Sequence, residues 1–211
     1  MELYGYFRSS TAYRVRIALN MKGLDCTHIP LSILAGEHKA QEYLRKNPQG
    51  FVPYMTDGDV AMGQSMAMLE YLEESYPEPA LLPKDAAGRA RVRQLSGIIA
   101  CDIHPLDNLR VLKYITGVLG ASDAQKTEWY HHWIREGFKA FETLLKDGKS
   151  GDFCHGNEVT FADLCLVPQV YNAARFNCPL DDFPTILRIA DNCNRLEAFI
   201  EALPENQADA L

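Results

Sequence analysis

Three hydroxyl side chains lie between the first predicted strand and the first predicted helix, in the run Arg8-Ser9-Ser10-Thr11. A helix N-terminus has unpaired N–H groups and a partial positive charge, so hydroxyl donors placed there stabilise a bound anion such as a thiolate. Ser and Thr at such a position also act as ordinary caps, because their oxygens accept from the first amides of the helix. Taken alone, the run favours capping and leaves thiolate stabilisation open.

Two further positions could present polar groups to a ligand. Val52-Pro53 precedes a predicted strand, and X-Pro is the one peptide bond for which the cis form is cheap, so a tight turn could expose backbone donors and acceptors here. Gln64-Ser65 opens a predicted helix and offers an amide, a hydroxyl and unpaired N–H groups to a carboxylate. The simpler alternatives are a trans turn at Pro53 and a plain cap at Ser65.

Short strands and helices alternate through the first third of the chain and would position these residues. The expected elements are a strand at 3–7, a helix at 12–22, a strand at 26–30, a helix at 39–46, a hairpin of 52–56 with 60–62, and a helix that Ser65 caps. This order is βαβαββα. We therefore predict an α/β domain over residues 1–78.

Prolines interrupt the pattern after this domain and predict a linker over residues 79–88. Residues 89–211 have helical periodicity throughout, so we expect an all-helical second domain that ends in a loose tail at 205–211. Pro105 is expected to kink a helix spanning 89–119, because proline removes one backbone hydrogen bond. Thr160 and Asp163 form a predicted capping box at the start of a later helix.

Composition and charge exclude several functional classes. The net charge of −7 and the pI near 5.4, without an unopposed basic stripe, argue against nucleic-acid binding. No apolar run is long enough to span a membrane, and the N-terminus lacks the pattern of a signal peptide, so we expect a cytoplasmic protein with no membrane partner. Six cysteines lack zinc-like spacing, which predicts reduced core thiols and no metal site.

The combined order of these motifs resembles the glutathione transferases over nearly the whole chain. The N-terminal run 8–19, with Asn47-Pro48, Val52-Pro53, Gln64-Ser65 and the segment 70–74, is similar to their thioredoxin-like domain. Segments 102–108 and 160–170 resemble the helical domain of the zeta class. The resemblance implies the two-domain glutathione transferase fold, a thioredoxin-like βαβαββα domain followed by a helical bundle, and it implies a homodimer.

The resemblance also implies a glutathione site. Ser9, Ser10 and Thr11 would be the catalytic group, facing the sulfur. The implied glutathione-binding residues are Ser10, His38, Val52, Pro53, Gln64, Ser65, Asp102, His104 and Asn108. Zeta-class proteins usually have Cys where this chain has Thr11, so a mechanism that needs a protein thiol at this position is not expected. Which hydroxyl is the main donor stays open.

A small dicarboxylate is the substrate class that the resemblance implies. Arg8, Arg110 and Arg175 would bind its carboxylates. The alternative for each is a surface or salt-bridge arginine; the two interpretations are evenly balanced for Arg110, whereas Arg175 more closely resembles the family's substrate arginine. The implied reaction is cis–trans isomerisation through reversible addition of the glutathione thiolate, with maleylacetoacetate as first choice and maleylpyruvate as second. A general transferase acting on haloacids and other electrophiles, and a binding module without enzyme activity, are the alternatives from other classes.

Overall fold

The computed structural model describes residues 1–210; Leu211, the last residue of the predicted helical domain and tail, lies outside them. The chain forms two compact units, one containing Met1–Ala80 together with the C-terminal segment that begins at Arg195, the other Leu81–Asn194. The sequence assigned that segment to the helical domain, and its hydrogen bonds explain the difference. Arg16 and Asn20 donate to the carbonyls of Ala202 and Ala198, and the Phe7 amide donates to Asp209 in the predicted loose tail.

The first unit has the βαβαββα order that the sequence predicts. Its elements are β1 (Glu2–Gly5), α1 (Ser10–Met21), β2 (Thr27–Pro30), a 3-10 turn (Glu37–Lys39), α2 (Gln41–Lys46), β3 (Tyr54–Asp57), β4 (Val60–Gly63) and α3 (Ser65–Ser75). The strands form one sheet in the order β2-β1-β3-β4, in which β1 pairs parallel with β2 and antiparallel with β3. A two-residue loop, Gly58 with Asp59, closes the predicted β3–β4 hairpin.

Alternation along the strands divides the sheet into an aliphatic face and an aromatic face. Leu3 lies opposite Met55 in the β1–β3 register, and both side chains are buried. On the other face Tyr4 and Tyr54 form an edge-to-face pair, and Tyr43 from α2 contacts both rings. This double packing fixes β3, and with it the loop that enters β3 from residue 51.

Helices α1 and α3 pack on each other; nine of the twelve residues of α1 and five of the eleven residues of α3 are buried. A buried ion pair joins the C-terminal end of α1 to α3, where Lys22 Nζ lies 3.0 Å from a Glu73 carboxylate oxygen. The same ammonium donates to the carbonyls of Tyr76 and Pro79, so all three of its protons are used. The two helix N-termini that the sequence singled out therefore belong to one rigid layer.

The second unit is helical, as predicted. It contains α4 (Ala86–Gly97), a π-helical segment (Ile98–Ile103), α5 (Leu109–Gly117), α6 (Asp123–Leu145), α7 (Phe161–Arg175) and α8 (Pro184–Cys193); α9 (Glu197–Glu201) and a 3-10 turn (Pro204–Asn206) belong to the first unit. The helix expected over 89–119 is broken rather than kinked. The wide π turn and Pro105 end it, and α5 starts anew with Asn108 as its N-cap.

The capping box predicted at Thr160 is confirmed and lies in the core of this unit. The Asp163 carboxylate is fully buried and accepts from the amides of Cys154 and Thr160, each at 2.8 Å, and from the Thr160 hydroxyl at 2.9 Å. It thereby fixes the start of α7 to the preceding loop. Across residues 1–210, no helix combines the length and apolar character needed to span a membrane.

Candidate functional site

The N-terminus of α1 presents three consecutive hydroxyls, as the sequence indicates. Ser9 is the N-cap, and its Oγ accepts from the Ala12 amide at 3.3 Å. Ser10 is the first helical residue and is 5% exposed. Ser9 Oγ lies 2.9 Å from Thr11 Oγ1. Capping and anion stabilisation are therefore compatible here, because different hydroxyls of the run can perform them.

The loop that carries Pro53 is joined to these hydroxyls. The Val52-Pro53 bond is cis rather than trans, which is the first of the two alternatives that the sequence analysis considered. Thr11 Oγ1 donates to the Val52 carbonyl oxygen at 3.0 Å. A hydroxyl has one proton, so in the Ser9–Thr11 pair Ser9 must be the donor. The protons of Ser9 and Thr11 are thus used in a chain that ends on Val52.

A tight turn places this loop. Gly50 has φ +59°, and a Cβ there would lie 2.8 Å from the His38 carbonyl oxygen, so the position requires glycine. The Asn47 side-chain amide and the Tyr43 hydroxyl both donate to the Phe51 carbonyl, at 2.8 and 2.6 Å. The predicted Asn47–Gly50 turn is therefore a rigid support for Val52 and Pro53.

The N-terminus of α3 begins one residue earlier than a Ser65 cap implies. Gln64 is the N-cap, with φ 68° and ψ 105°, a backbone conformation that a non-glycine residue rarely adopts. Its side-chain amide donates to Gln49 Oε1 at 2.7 Å. Ser65 occupies the first helical position and is buried. A strained backbone conformation beside the unpaired amides of a helix N-terminus is typical of a ligand site.

Arg14, which the sequence analysis did not single out, lies beneath this helix end. It is 1% exposed, and its Nη1 donates to Ser65 Oγ at 3.3 Å. Its Nε and Nη2 atoms are buried without a hydrogen-bond partner in the described residues. One signal was available, because Arg14 is four residues after Ser10 and so shares a helical face with it.

Arg8 and His38 are the other predicted site residues of the first unit. The Arg8 guanidinium stacks on Phe7, 4.7 Å from the ring centroid, and donates to the Tyr6 hydroxyl at 3.1 Å. It is half-buried at the end of the β1-to-α1 connection. His38 lies in the 3-10 turn before α2 and is also half-buried. Aromatic stacking leaves the edge of the Arg8 guanidinium oriented for a planar partner.

The remaining predicted site residues belong to the helical unit. Asp102 is exposed on the π-helical segment, and His104 follows that segment. Asn108 caps α5 through a 3.1 Å hydrogen bond from the Arg110 amide, so its carboxamide oxygen has a structural role. Arg175 is the last residue of α7, with its exposed guanidinium 4.5 Å from the Phe176 ring centroid.

Asp107 is a second residue that the sequence analysis missed. It is 8% exposed, and neither carboxylate oxygen has a hydrogen-bond partner within residues 1–210. Burial raises its pKa to about 8, which keeps the carboxyl protonated at neutral pH. Burial, and next the Asp107 charge, raise the pKa of Tyr130. Its place between Pro105 and the α5 cap gave no sequence signal of burial.

All six cysteines are free thiols, but only four of them are core residues. Cys154, Cys165, Cys178 and Cys193 are buried as predicted, whereas Cys101 is exposed and Cys26 is half-buried. In the described part of the chain, no three His, Cys, Asp or Glu side chains gather in a group that could hold a metal ion.

Comparison with known proteins relates both units to one family. Residues 3–80 match the glutathione S-transferase N-terminal domain, and residues 111–207 match the C-terminal domain. The chain is 48% identical to a probable maleylacetoacetate isomerase of Vibrio cholerae serotype O1, over 99% of this chain and 97% of that one. A holo structure of maleyl pyruvate isomerase, described as a bacterial zeta-class glutathione S-transferase, superposes with a TM-score of 0.98 at 43% identity over both full chains. A Methylobacterium extorquens maleylacetoacetate isomerase with bound malonate and GSH gives 0.97 at 37% identity, again with full coverage of both chains.

Proposed function

This chain belongs to the glutathione S-transferase family, in its zeta class, and we propose that it is a glutathione-dependent isomerase that converts maleylacetoacetate to fumarylacetoacetate. The observation that carries the proposal is the arrangement of hydroxyls at the N-terminus of α1 against the loop of Pro53. This arrangement suits an anionic sulfur at a helix end, and relatives with this fold bear isomerase names.

The residues of the first unit suit glutathione, and different residues would bind different parts of the tripeptide. The Val52 backbone, fixed by Thr11 and by the cis bond to Pro53, would pair with the peptide backbone. Gln64 and Ser65 would hold the γ-glutamyl carboxylate at the α3 N-terminus. His38 contributes from the turn before α2. Asp102, His104 and Asn108 rest on the family resemblance alone.

Ser10 is the hydroxyl that we assign to the sulfur. Ser10 begins α1, where the helix dipole adds to its hydrogen bond and lowers the pKa of a bound thiol. When bound, glutathione supplies a thiolate that adds reversibly to the maleyl double bond and so permits rotation about it.

Arg8, Arg110 and Arg175 are the proposed carboxylate ligands of the substrate. Guanidinium groups bind carboxylates bidentately, and a fixed guanidinium orients a planar conjugated acid better than a lysine does. Arg8 and Arg175 are each stacked on an aromatic ring, which restrains the plane of the guanidinium. Arg175 is the one whose sequence context is most similar to the family's substrate arginine.

Maleylpyruvate is the second candidate substrate. A maleyl pyruvate isomerase is among the structures most similar to this chain, with a TM-score of 0.98. The two substrates share the maleyl-ketone unit and differ beyond it, so the same sulfur site and arginines serve both. Action in the cytoplasm and a homodimeric state stay predictions.

The deciding experiment follows the loss of maleyl-ketone absorbance with maleylacetoacetate and maleylpyruvate separately, each with and without glutathione. Fast, glutathione-dependent turnover of maleylacetoacetate supports the proposal, and faster turnover of maleylpyruvate replaces the first substrate by the second. Turnover of neither, with glutathione conjugation of haloacids, would make the protein a general transferase. Failure of every reaction would favour a binding module.

A further inference from the structure

Arg14 is a buried arginine whose charge has no counter-ion within the described residues 1–210. Its side chain is 1% exposed, and none of the ion pairs in this part of the chain includes it. Its guanidinium makes two contacts, through Nη1, to Ser65 Oγ at 3.3 Å and to Met66 Sδ at 3.9 Å. Nε and Nη2 are buried and unpartnered. An uncompensated buried cation costs free energy unless an anion comes close to it.

Arg16, two residues further along α1, provides a contrast. It is also buried, but its guanidinium donates to the carbonyl oxygens of Phe7 and Ala202 at 2.9 to 3.2 Å. Burial lowers its pKa to about 10. Arg16 thus joins α1 to the C-terminal segment, whereas Arg14 has no comparable set of acceptors. A structural role therefore explains the burial of Arg16 but does not explain the burial of Arg14.

We propose that Arg14 is a positioning residue that makes the α3 N-terminus selective for a carboxylate, acting through Ser65. Arginine has no acceptor atom, so Ser65 Oγ accepts from Arg14 and keeps its own proton for a ligand. The buried charge polarises this hydroxyl and adds to the helix dipole at the first amides of α3. The inference rests on the proposed function, since the anion in question is the γ-glutamyl carboxylate of glutathione.

The test compares glutathione with 4-aminobutyryl-cysteinylglycine, which lacks only that carboxylate. Binding of each is measured by calorimetry to the wild type, Arg14→Met, Arg14→Lys and the matched control Arg16→Met. The wild type should prefer glutathione by at least about tenfold. Arg14→Met should reduce this preference by about fivefold or more, Arg14→Lys should keep most of it, and Arg16→Met should keep all of it.

Stability of the ligand-free proteins gives a second readout. Arg14→Met removes an unpaired buried charge, so its melting temperature should equal or exceed that of the wild type, whereas Arg16→Met leaves two carbonyls unpaired and should melt lower. The inference is overturned if the Arg14→Met variant is unfolded or strongly destabilised, or if it binds both ligands more weakly by the same factor. It is also overturned if the wild type binds the two ligands with equal affinity. A wild type that binds neither thiol and catalyses nothing instead rejects the proposed function.

Discussion

The Thr11 hydroxyl donates a 3.0 Å hydrogen bond to the carbonyl oxygen of Val52, 41 residues away in the chain. This bond joins the first turn of α1 to the loop of cis-Pro53. It also orders the neighbouring hydroxyls, because Thr11 must then accept from Ser9. A residue that replaces the cysteine usual in this class thereby holds together the two backbone segments that the proposed site needs.

Replacing Thr11 by Val, which is nearly isosteric, should weaken glutathione binding several-fold and lower the free energy of unfolding by about 1 kcal/mol. The loss arises because Val52 loses its donor and Ser9 its acceptor, while little volume changes. Urea unfolding and the KM for glutathione measure the two effects. Thr11→Ser, which keeps the hydroxyl, should stay close to the wild type. If Thr11→Val and the wild type have equal free energies of unfolding and equal KM values for glutathione, the hydrogen bond from Thr11 to Val52 contributes to neither stability nor binding.

The two serines of the same run should separate into a catalytic and a capping residue. Ser10→Ala should lower kcat by about 100-fold or more with little change in glutathione affinity, because the lost hydroxyl stabilises developing charge. Ser9→Ala should instead lower the free energy of unfolding by about 1 kcal/mol, since the Ala12 amide loses its cap. Kinetics and urea unfolding of both variants decide; the reverse pattern would make Ser9 the donor to sulfur.

Local patterns predicted the parts of the fold that rest on local physics. The βαβαββα order, the hairpin at Gly58, the Thr160 box and the opening of α3 near Gln64 follow from periodicity, turn residues and capping chemistry. The hydrogen bonds that attach the C-terminal segment to the first unit were not predicted, because its partners, Arg16 and Asn20, are 186 and 178 residues away in the chain. No local pattern encodes such a contact.

Burial of single polar residues was the part of the site that the sequence could not provide. Arg14 and Arg16 look alike in the sequence, yet only Arg16 donates to backbone carbonyls, whereas Nε and Nη2 of Arg14 have no hydrogen-bond partner in the described residues. Asp107 lies in a segment rich in polar residues, where exposure is the ordinary expectation. What decides each case is which groups the fold brings around the side chain, and that depends on tertiary packing rather than on spacing.

Asp163 should be one of the most costly residues to remove from the helical unit. Its carboxylate accepts from two buried backbone amides, so Asp163→Ala leaves both donors unpaired. We expect the free energy of unfolding to fall by about 3 kcal/mol or more, measured by urea denaturation at neutral pH. Asp181→Ala, at an exposed position, is the control and should change stability by less than about 0.5 kcal/mol. A similar loss of unfolding free energy in the two variants would exclude the stabilising role assigned to the Thr160–Asp163 capping box.

Asp107 should make the stability of the protein fall as pH rises. Its folded pKa is about 8, whereas an unfolded Asp titrates near about 3.9, so between these values the folded state holds a proton that the unfolded chain has released. The stabilisation is complete below pH about 4 and is lost as pH rises toward 8. Asp107→Asn cannot ionise and removes this dependence.

The measurement is urea unfolding of wild type and Asp107→Asn from pH 5 to 9. From pH 6 to pH 9 the wild type should lose about 3 kcal/mol more than the variant, because the carboxylate ionises without a hydrogen-bond partner in the described structure. The pKa values of Tyr130 and Cys178 are raised, chiefly by burial and in part by the Asp107 charge. Both groups therefore titrate at higher pH in the folded protein and should contribute little to the difference between the two curves. Parallel curves for the two proteins would mean that Asp107 is ionised and solvated in the native state, with an ordinary pKa.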